Sequence, residues 1–131
     1  MIDGLHLIDA HLHVARLPTL KLPRPTWAPF ADAGVLGELY DEAGAIRPDR
    51  LDAFLDAEGV DVALLMSEYS PRVTGIQPVE DLLPLLEHNP RRFRLIANLN
   101  PHLHHPIAEE LERLGDEGRV SPESQERMRE Y

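Results

Sequence analysis

The amino-acid sequence predicts an α/β fold in which parallel strands are covered by outer helices. Three short apolar segments with strand character alternate with segments whose apolar residues recur at helical spacing. The connections are long enough to hold helices, as parallel strands require. At 131 residues the chain can build a core, but it falls short of the roughly 250 residues of a complete eight-stranded barrel. The alternation alone fits both an open doubly wound sheet and a barrel.

The first predicted strand begins with the apolar run Leu5–Ile8 and passes through Asp9 to Val14, where polar residues appear. We interpret it as a buried strand that ends at a polar rim. Residues 15–47 form a Pro-rich excursion, because four prolines at short intervals forbid a continuous helix or a central strand. The sequence allows one short helix there, over residues 33–40.

The second unit combines a clear helix with an apolar strand. Pro48 suits the first position of a helix, apolar residues follow at helical spacing, and Gly59 is expected to end it. Residues 60–66 are almost all apolar, which is typical of a parallel strand covered on both faces. Residues 67–75 are predicted to be a loop.

The third unit is marked by prolines. A helix is predicted from Pro78, and Pro84 within it is expected to kink or split it. A strand is predicted over residues 93–100, followed by a helix that begins at Pro106 and stops at Gly115. The residues expected to face inward on this last helix are Ile107, Leu111 and Leu114. Residues 119–131 are predicted to be a polar helical tail.

Composition limits the partners and the chemistry. A net charge of −10 argues against binding to nucleic acid or to an anionic membrane surface. The absence of cysteine excludes disulfides and thiolate metal ligands. The N-terminus has no signal-peptide pattern, and no segment approaches the ~20 apolar residues of a membrane helix. We therefore expect a soluble, cytoplasmic protein.

Asp9, His11 and His13 alternate at the end of the first predicted strand, so we expect them to point to the same side. Two imidazoles at this spacing can converge on one ion, and neutral imidazole suits Zn, Mn, Fe or Ni. Asp9 would orient a ligand or contact the metal. Active sites of parallel α/β proteins lie at the carboxyl ends of strands, which favours the metal hypothesis. The spacing alone fits equally well a pair of solvated or core histidines.

Three further residues are candidates for binding substrate. Arg72 follows the second strand and would hold a substrate carboxylate with two hydrogen bonds, although a solvated arginine is the plainer interpretation. Asn100 lies at the end of the third predicted strand and His102 follows it, and both would contribute hydrogen bonds. The alternatives are an asparagine that caps a turn and a histidine in a solvated loop. Arg92 and its arginine neighbours precede the third strand, and we interpret them as structural or solvated.

Taken together, these segments resemble the amidohydrolase superfamily, in particular its amidohydrolase-related branch. The resemblance spans about residues 5–115 and is carried by Ile8–His13, Leu51–Asp61 and His88–Arg94. It implies a TIM-like (β/α) barrel, of which residues 1–131 are an N-terminal portion with the first three β/α units. It also implies one or two divalent metals at the mouth of the barrel, with His11 and His13 as ligands. Zn²⁺ is the first expectation, with Mn²⁺ or another ion as the alternative.

The same resemblance implies that the remaining ligands and the catalytic acid or base come from the fifth, sixth and eighth strands. Those strands are absent here, so the catalytic residues are unknown and the chain alone is expected to be inactive. The expected reaction is metal-dependent hydrolysis of a small, carboxylated molecule, with non-oxidative decarboxylation as the alternative. A homo-oligomer, or a non-catalytic half-barrel completed by a second chain, is a further hypothesis. The simplest hypothesis is an open α/β domain whose histidines are incidental.

Overall fold

The computed structural model describes residues 4–21, 35–96 and 98–116. The chain divides into two compact units, residues 1–96 and 97–131. The predicted tail at 119–131 and residues 22–34 of the Pro-rich excursion lie outside the described residues. In the part of the chain that is described, no helix is long and apolar enough to cross a membrane.

Parallel strands form the centre of the first unit, as the sequence predicts. The strands in the described residues are β1 (Ile8–Leu12), β2 (Val62–Met66), β3 (Glu68–Ser70), β4 (Gly75–Gln77) and β5 (Phe93–Ile96). β1, β2 and β5 form one sheet in that order, and both pairings are parallel. β5 ends at Ile96, four residues before the predicted end at Asn100.

The helices begin close to the predicted positions. They are α1 (Val35–Leu39), α2 (Pro48–Ala57), α3 (Leu83–His88) and α4 (Ile107–Asp116), with 3-10 helices at Leu17–Thr19 and Val79–Leu82. α2 ends at Ala57, and Gly59, two residues later, stops it as predicted. Gly59 has a φ of 74°, its N–H donates to the Asp56 carbonyl at 3.0 Å, and the Val60 N–H donates to the Leu55 carbonyl at 2.9 Å. These two bonds form a Schellman motif, which needs a residue in the left-handed region.

Pro84 splits the helical segment after Pro78, as predicted. A 3-10 helix over Val79–Leu82 leads directly into α3, and Pro84 lies in the first turn of α3. Because proline has no N–H, it cannot donate the bond that would make this segment one continuous α-helix.

The core of the first unit lies between one face of the sheet and its helices. Ala63, Leu65 and Phe93 are fully buried on that face. The buried helical residues in the same cluster are Leu39 of α1, Leu51 and Leu55 of α2, Leu82 of the second 3-10 helix and Leu85 of α3. Burying each leucine or phenylalanine side chain contributes about 1.5–3 kcal/mol. The α-helices described in this unit therefore cover the same face of the sheet.

The opposite face of the sheet, which we call the open face, has no fully buried residue among those the structure describes. Ile8 is 55% exposed, and Val62, Leu64 and Met66 are only half-buried. The prediction that residues 60–66 are covered on both faces is therefore wrong for the described part of the chain. The prediction of a buried first strand is also wrong, because β1 is an edge strand and Leu5, just before it, is 73% exposed.

Residues 67–75 are not the loop that the sequence predicts. β3 pairs antiparallel with β4, with Glu68 opposite Gln77, Tyr69 opposite Ile76 and Ser70 opposite Gly75. Strands of three residues are too short to show a recognisable period of two in the sequence. The hairpin follows directly on β2, so it begins at the carboxyl end of the parallel sheet.

The second unit, described over residues 98–116, consists of a turn followed by α4. Leu114 is buried and Leu111 is half-buried, as predicted, but Ile107 is exposed. Ile107 is the first residue of α4, so no earlier turn of this helix lies beside its side chain. The helix also continues through Gly115 to Asp116, so the predicted stop at Gly115 is wrong.

Candidate metal centre

A bulge in β1 decides where the polar side chains of this strand lie. Asp9 pairs with Ala63 and Leu12 pairs with Leu65, with a register shift between the two pairs. Three steps along β1 therefore match two steps along β2, so β1 holds one extra residue. Paired residues of neighbouring strands share a side of the sheet. Asp9 and Leu12 consequently lie on the side of the buried Ala63 and Leu65, which the helices cover.

His11 and His13 flank Leu12 and therefore lie on the other side, the open face. This corrects the prediction that Asp9 shares the side of the two histidines, because the period of two is interrupted by the extra residue. The Asp9 carboxylate instead accepts a hydrogen bond from the His11 N–H at 3.0 Å. Asp9 thus supports the backbone at the bulge from which the His11 side chain projects.

The two imidazole rings converge through their Nε2 atoms. These atoms are 2.9 Å apart, and the ring centroids are 4.8 Å apart with an interplanar angle of 61°. Two nitrogen ligands at 2.0–2.1 Å from a tetrahedral zinc ion would be separated by about 3.3 Å. At 2.9 Å the contact is itself a hydrogen bond, in which one Nε2 donates and the other accepts. The two nitrogens lie a few tenths of an ångström closer than one shared cation requires.

Glu68, at the start of β3, places a carboxylate behind this pair. Its Oε2 lies 4.0 Å from His13 Nδ1, which is the ring nitrogen of His13 that does not face His11. Its Oε1 accepts a hydrogen bond from the Thr74 hydroxyl, and the side chain is only 21% exposed. Sequence reasoning did not select Glu68. The available signal was its position directly after the second predicted strand, at the same end of the sheet as the histidines.

The β3–β4 hairpin is attached to the segment that follows β1. The Lys21 N–H donates to the Thr74 carbonyl at 3.0 Å, and the Lys21 ammonium donates to the Pro71 carbonyl. Leu20 forms an antiparallel bridge with Gly75. Gly75 has a φ of 118°, and a Cβ at this position would lie 2.2 Å from the Thr19 carbonyl oxygen. Only glycine permits this close approach, which ties the hairpin that carries Glu68 to the strand that carries the histidines.

The three candidate substrate residues belong to other elements than the two histidines. Arg72 is exposed in the turn between β3 and β4. Asn100 and His102 belong to the second unit, where the Asn100 side chain accepts a hydrogen bond from the His102 N–H at 2.9 Å. The Asn100 N–H donates to His104 Nδ1, also at 2.9 Å. The Asn100 side chain thus caps the turn that follows it, and His102 is exposed.

Arg92 has a structural role at the other end of the sheet, as the sequence suggests. Its Nη2 donates to Asp56 at 2.7 Å, and its Nη1 donates to the Val60 carbonyl. Its Nε lies 2.5 Å from an oxygen of Asp52, although this N–H is not aligned for a hydrogen bond. Asp52 also accepts bonds from the Asn89 amide at 3.0 and 3.2 Å. These contacts tie α2 to the loop between α3 and β5.

The two histidines fit part of a metal site. Among the described residues, no three side chains of His, Cys, Asp or Glu are arranged to hold one ion. Zinc sites take at least three protein ligands, so His11 and His13 would supply two positions and leave the others to be filled. Comparisons of this chain with protein families, curated proteins and solved structures find no match.

Proposed function

We propose that this chain forms the N-terminal part of a metal-dependent (β/α)-barrel enzyme of the amidohydrolase type, which hydrolyses a small, carboxylated molecule. The observation that carries this proposal is the convergence of His11 and His13 through Nε2 atoms 2.9 Å apart. Both residues lie at the carboxyl end of a parallel strand, where barrel enzymes place their active sites.

The winding of the sheet is compatible with the first three units of a barrel. β1, β2 and β5 lie side by side in chain order, and the α-helices described in this unit cover one face. In a barrel all helices lie outside the strands, and one βαβαβ half of a doubly wound sheet has the same arrangement, so the choice of a barrel rests on the resemblance. The open face carries Ile8, Leu64 and Met66, which are apolar residues of the kind that fill a barrel interior.

The edges of the sheet are consistent with further strands. In the part of the chain that the structure describes, β1 and β5 each pair with β2 alone. Each therefore has one hydrogen-bonding edge at which another strand would pair. Strands from a longer chain, from a second copy or from another protein would meet the same requirement, and they would bring the missing ligands to the histidine pair.

A divalent ion bound to this pair would act as a Lewis acid that activates water or polarises the substrate. The role of His11 and His13 is to present two neutral nitrogen donors from a rigid strand. Asp9 holds the backbone of His11 through its 3.0 Å hydrogen bond, and the proton-transfer groups are expected on other strands. Non-oxidative decarboxylation is the alternative reaction, and assays with carboxylated substrates that detect CO₂ separately from hydrolysis products distinguish the two.

Metal binding is the direct test. Isothermal titration with Zn²⁺ and Mn²⁺, supported by elemental analysis, should show one ion bound weakly to the unaltered chain, with water in the positions that ligands from other strands would fill. The double variant His11→Ala/His13→Ala should lose it. His6→Ala is the matched control, because His6 is a solvent-exposed histidine just before the same strand. Its side chain contacts Asp61, at 3.6 Å, and not the histidine pair. Equal metal uptake by the unaltered chain and the double variant, or none by either, would refute the metal site.

A further inference from the structure

We propose that Glu68 is a positioning residue that fixes the tautomer and the orientation of His13, so that His13 Nε2 keeps its lone pair for a metal. This inference rests on the proposed metal site. It is drawn from the two different neighbours of the His13 ring: Nε2 faces His11 Nε2 at 2.9 Å, and Nδ1 faces Glu68 Oε2 at 4.0 Å.

The chemistry of imidazole explains why a carboxylate on the Nδ1 side matters. A neutral imidazole carries one proton, and the nitrogen that lacks it is the one that can bind a metal. A carboxylate accepts a hydrogen bond from Nδ1–H and therefore stabilises the tautomer in which Nε2 is free. Metal-binding histidines almost always donate their second N–H to a carboxylate, a carbonyl or water.

Glu68 is held ready for this role. The Thr74 hydroxyl donates to Oε1, which leaves Oε2 as the atom directed at His13. The backbone of Glu68 is fixed opposite Gln77, a buried residue of β4. A movement of about 1 Å of the His13 ring or the carboxylate brings the 4.0 Å contact into hydrogen-bond range. Contacts of this kind are commonly long before a ligand is bound and shorten in the complex.

The arrangement favours Glu68 as a support over Glu68 as a third ligand. A third ligand would need to lie beside the two Nε2 atoms, whereas the contact of Glu68 is with the opposite nitrogen of the His13 ring. Within the described part of the chain, Glu68 and the two histidines accordingly do not form a three-residue group that could hold one ion.

The test measures the tautomer of His13 in the metal-free chain and, separately, the affinity for Zn²⁺. Ring ¹⁵N shifts, recorded by NMR at about pH 8 where an ordinary imidazole is neutral, distinguish Nδ1–H from Nε2–H. We expect the Nδ1–H form of His13 in the unaltered, metal-free chain, where His13 Nε2 accepts the 2.9 Å hydrogen bond from His11 Nε2–H. Glu68→Gln should shift the population toward Nε2–H and weaken Zn²⁺ binding roughly 10–100-fold. Glu87→Gln, which removes the same charge from an exposed residue of α3, should change neither.

Each outcome decides a separate question. An unchanged tautomer in Glu68→Gln overturns the positioning role, and loss of Zn²⁺ with an unchanged tautomer identifies Glu68 as a direct ligand instead. A shifted tautomer in a chain that never binds Zn²⁺ supports the positioning role but refutes the proposed function. If Glu68→Gln does not fold, Thr74→Val decides, because it removes only the bond to Oε1. It should shift the tautomer in the same direction to a smaller extent, and no shift would overturn the inference.

Discussion

Replacing Gly75 with alanine should destabilise the first unit by releasing the β3–β4 hairpin from the segment after β1. The φ of 118° at Gly75 lies where L-amino acids are strained. The added Cβ would lie 2.2 Å from the Thr19 carbonyl oxygen, although carbon–oxygen contacts normally begin at about 3.3 Å. The carbonyl must therefore retreat by about 1 Å, and the adjacent bond from the Lys21 N–H to the Thr74 carbonyl would be stretched.

The size of the effect follows from these terms. Backbone strain costs about 1–3 kcal/mol, and a lost hydrogen bond costs about 0.5–1.5 kcal/mol. Alanine offsets about 0.4–1 kcal/mol of this by restricting the unfolded chain. We therefore expect the free energy of unfolding to fall by about 2 kcal/mol for Gly75→Ala, within a range of roughly 0.5–4 kcal/mol.

Urea unfolding followed by circular dichroism measures this loss as a lower midpoint at an unchanged slope. Gly4→Ala is the matched control, since Gly4 also has a positive φ, of 80°, but a Cβ added there would meet no atom within 4 Å. The control should lose about 1 kcal/mol or less. Equal losses in the two variants would show that the close approach to Thr19 does not hold the hairpin, and would refute the reasoning.

Three further predictions concern the core and its borders. Burial raises the pKa of Tyr40 above its usual value near 10, so its stabilising contribution is complete below about pH 10 and is lost as the pH rises further. Tyr40→Phe should remove this alkaline loss of stability, measured by urea unfolding at several pH values between about 9 and 12. If the free energy of unfolding falls equally with pH in the variant and the unaltered chain, the prediction is wrong. Asp52→Asn should cost about 1–3 kcal/mol, because Arg92 is only 13% exposed and loses one of its two charged partners while it keeps Asp56; a thermal shift equivalent to under about 0.5 kcal/mol would show that the contact with Asp52 is dispensable. Leu65→Ala should cost about 2–5 kcal/mol and Ile8→Ala under about 1 kcal/mol, and similar losses would mean that the open face is covered.

Local signals determined the parts of the fold that the sequence predicts well. The start of α2 at Pro48 and its termination before Gly59 follow from the backbone preferences of proline and glycine. The split before α3 follows from the missing N–H of Pro84. These effects act within a few residues, so they can be predicted from the local sequence.

The site was predicted only in part, because it depends on contacts between segments distant in the sequence. The convergence of His11 and His13 follows from their spacing, but the bulge that turns Asp9 to the helix side depends on the register with β2. The approach of Glu68 to His13 depends on a hairpin that pairs with the segment after β1. The alternation of side chains along one strand does not predict a bulge, because the bulge depends on how that strand pairs with its neighbour.

The bulge in β1 also places a residue that stabilises the core and two residues that would bind a metal on opposite faces of the sheet. Leu12 packs against the buried core on the helix side, whereas His11 and His13 are exposed and lie on the open face. Truncating either histidine therefore removes a nitrogen donor without creating a cavity in the core. A loss of metal in these variants, at an unchanged unfolding midpoint, would thus report on the ligands themselves. Leu12→Ala, by contrast, should lower the midpoint while the two imidazoles remain in place, and the pair of measurements would distinguish a built metal site from histidines that merely stabilise the strand.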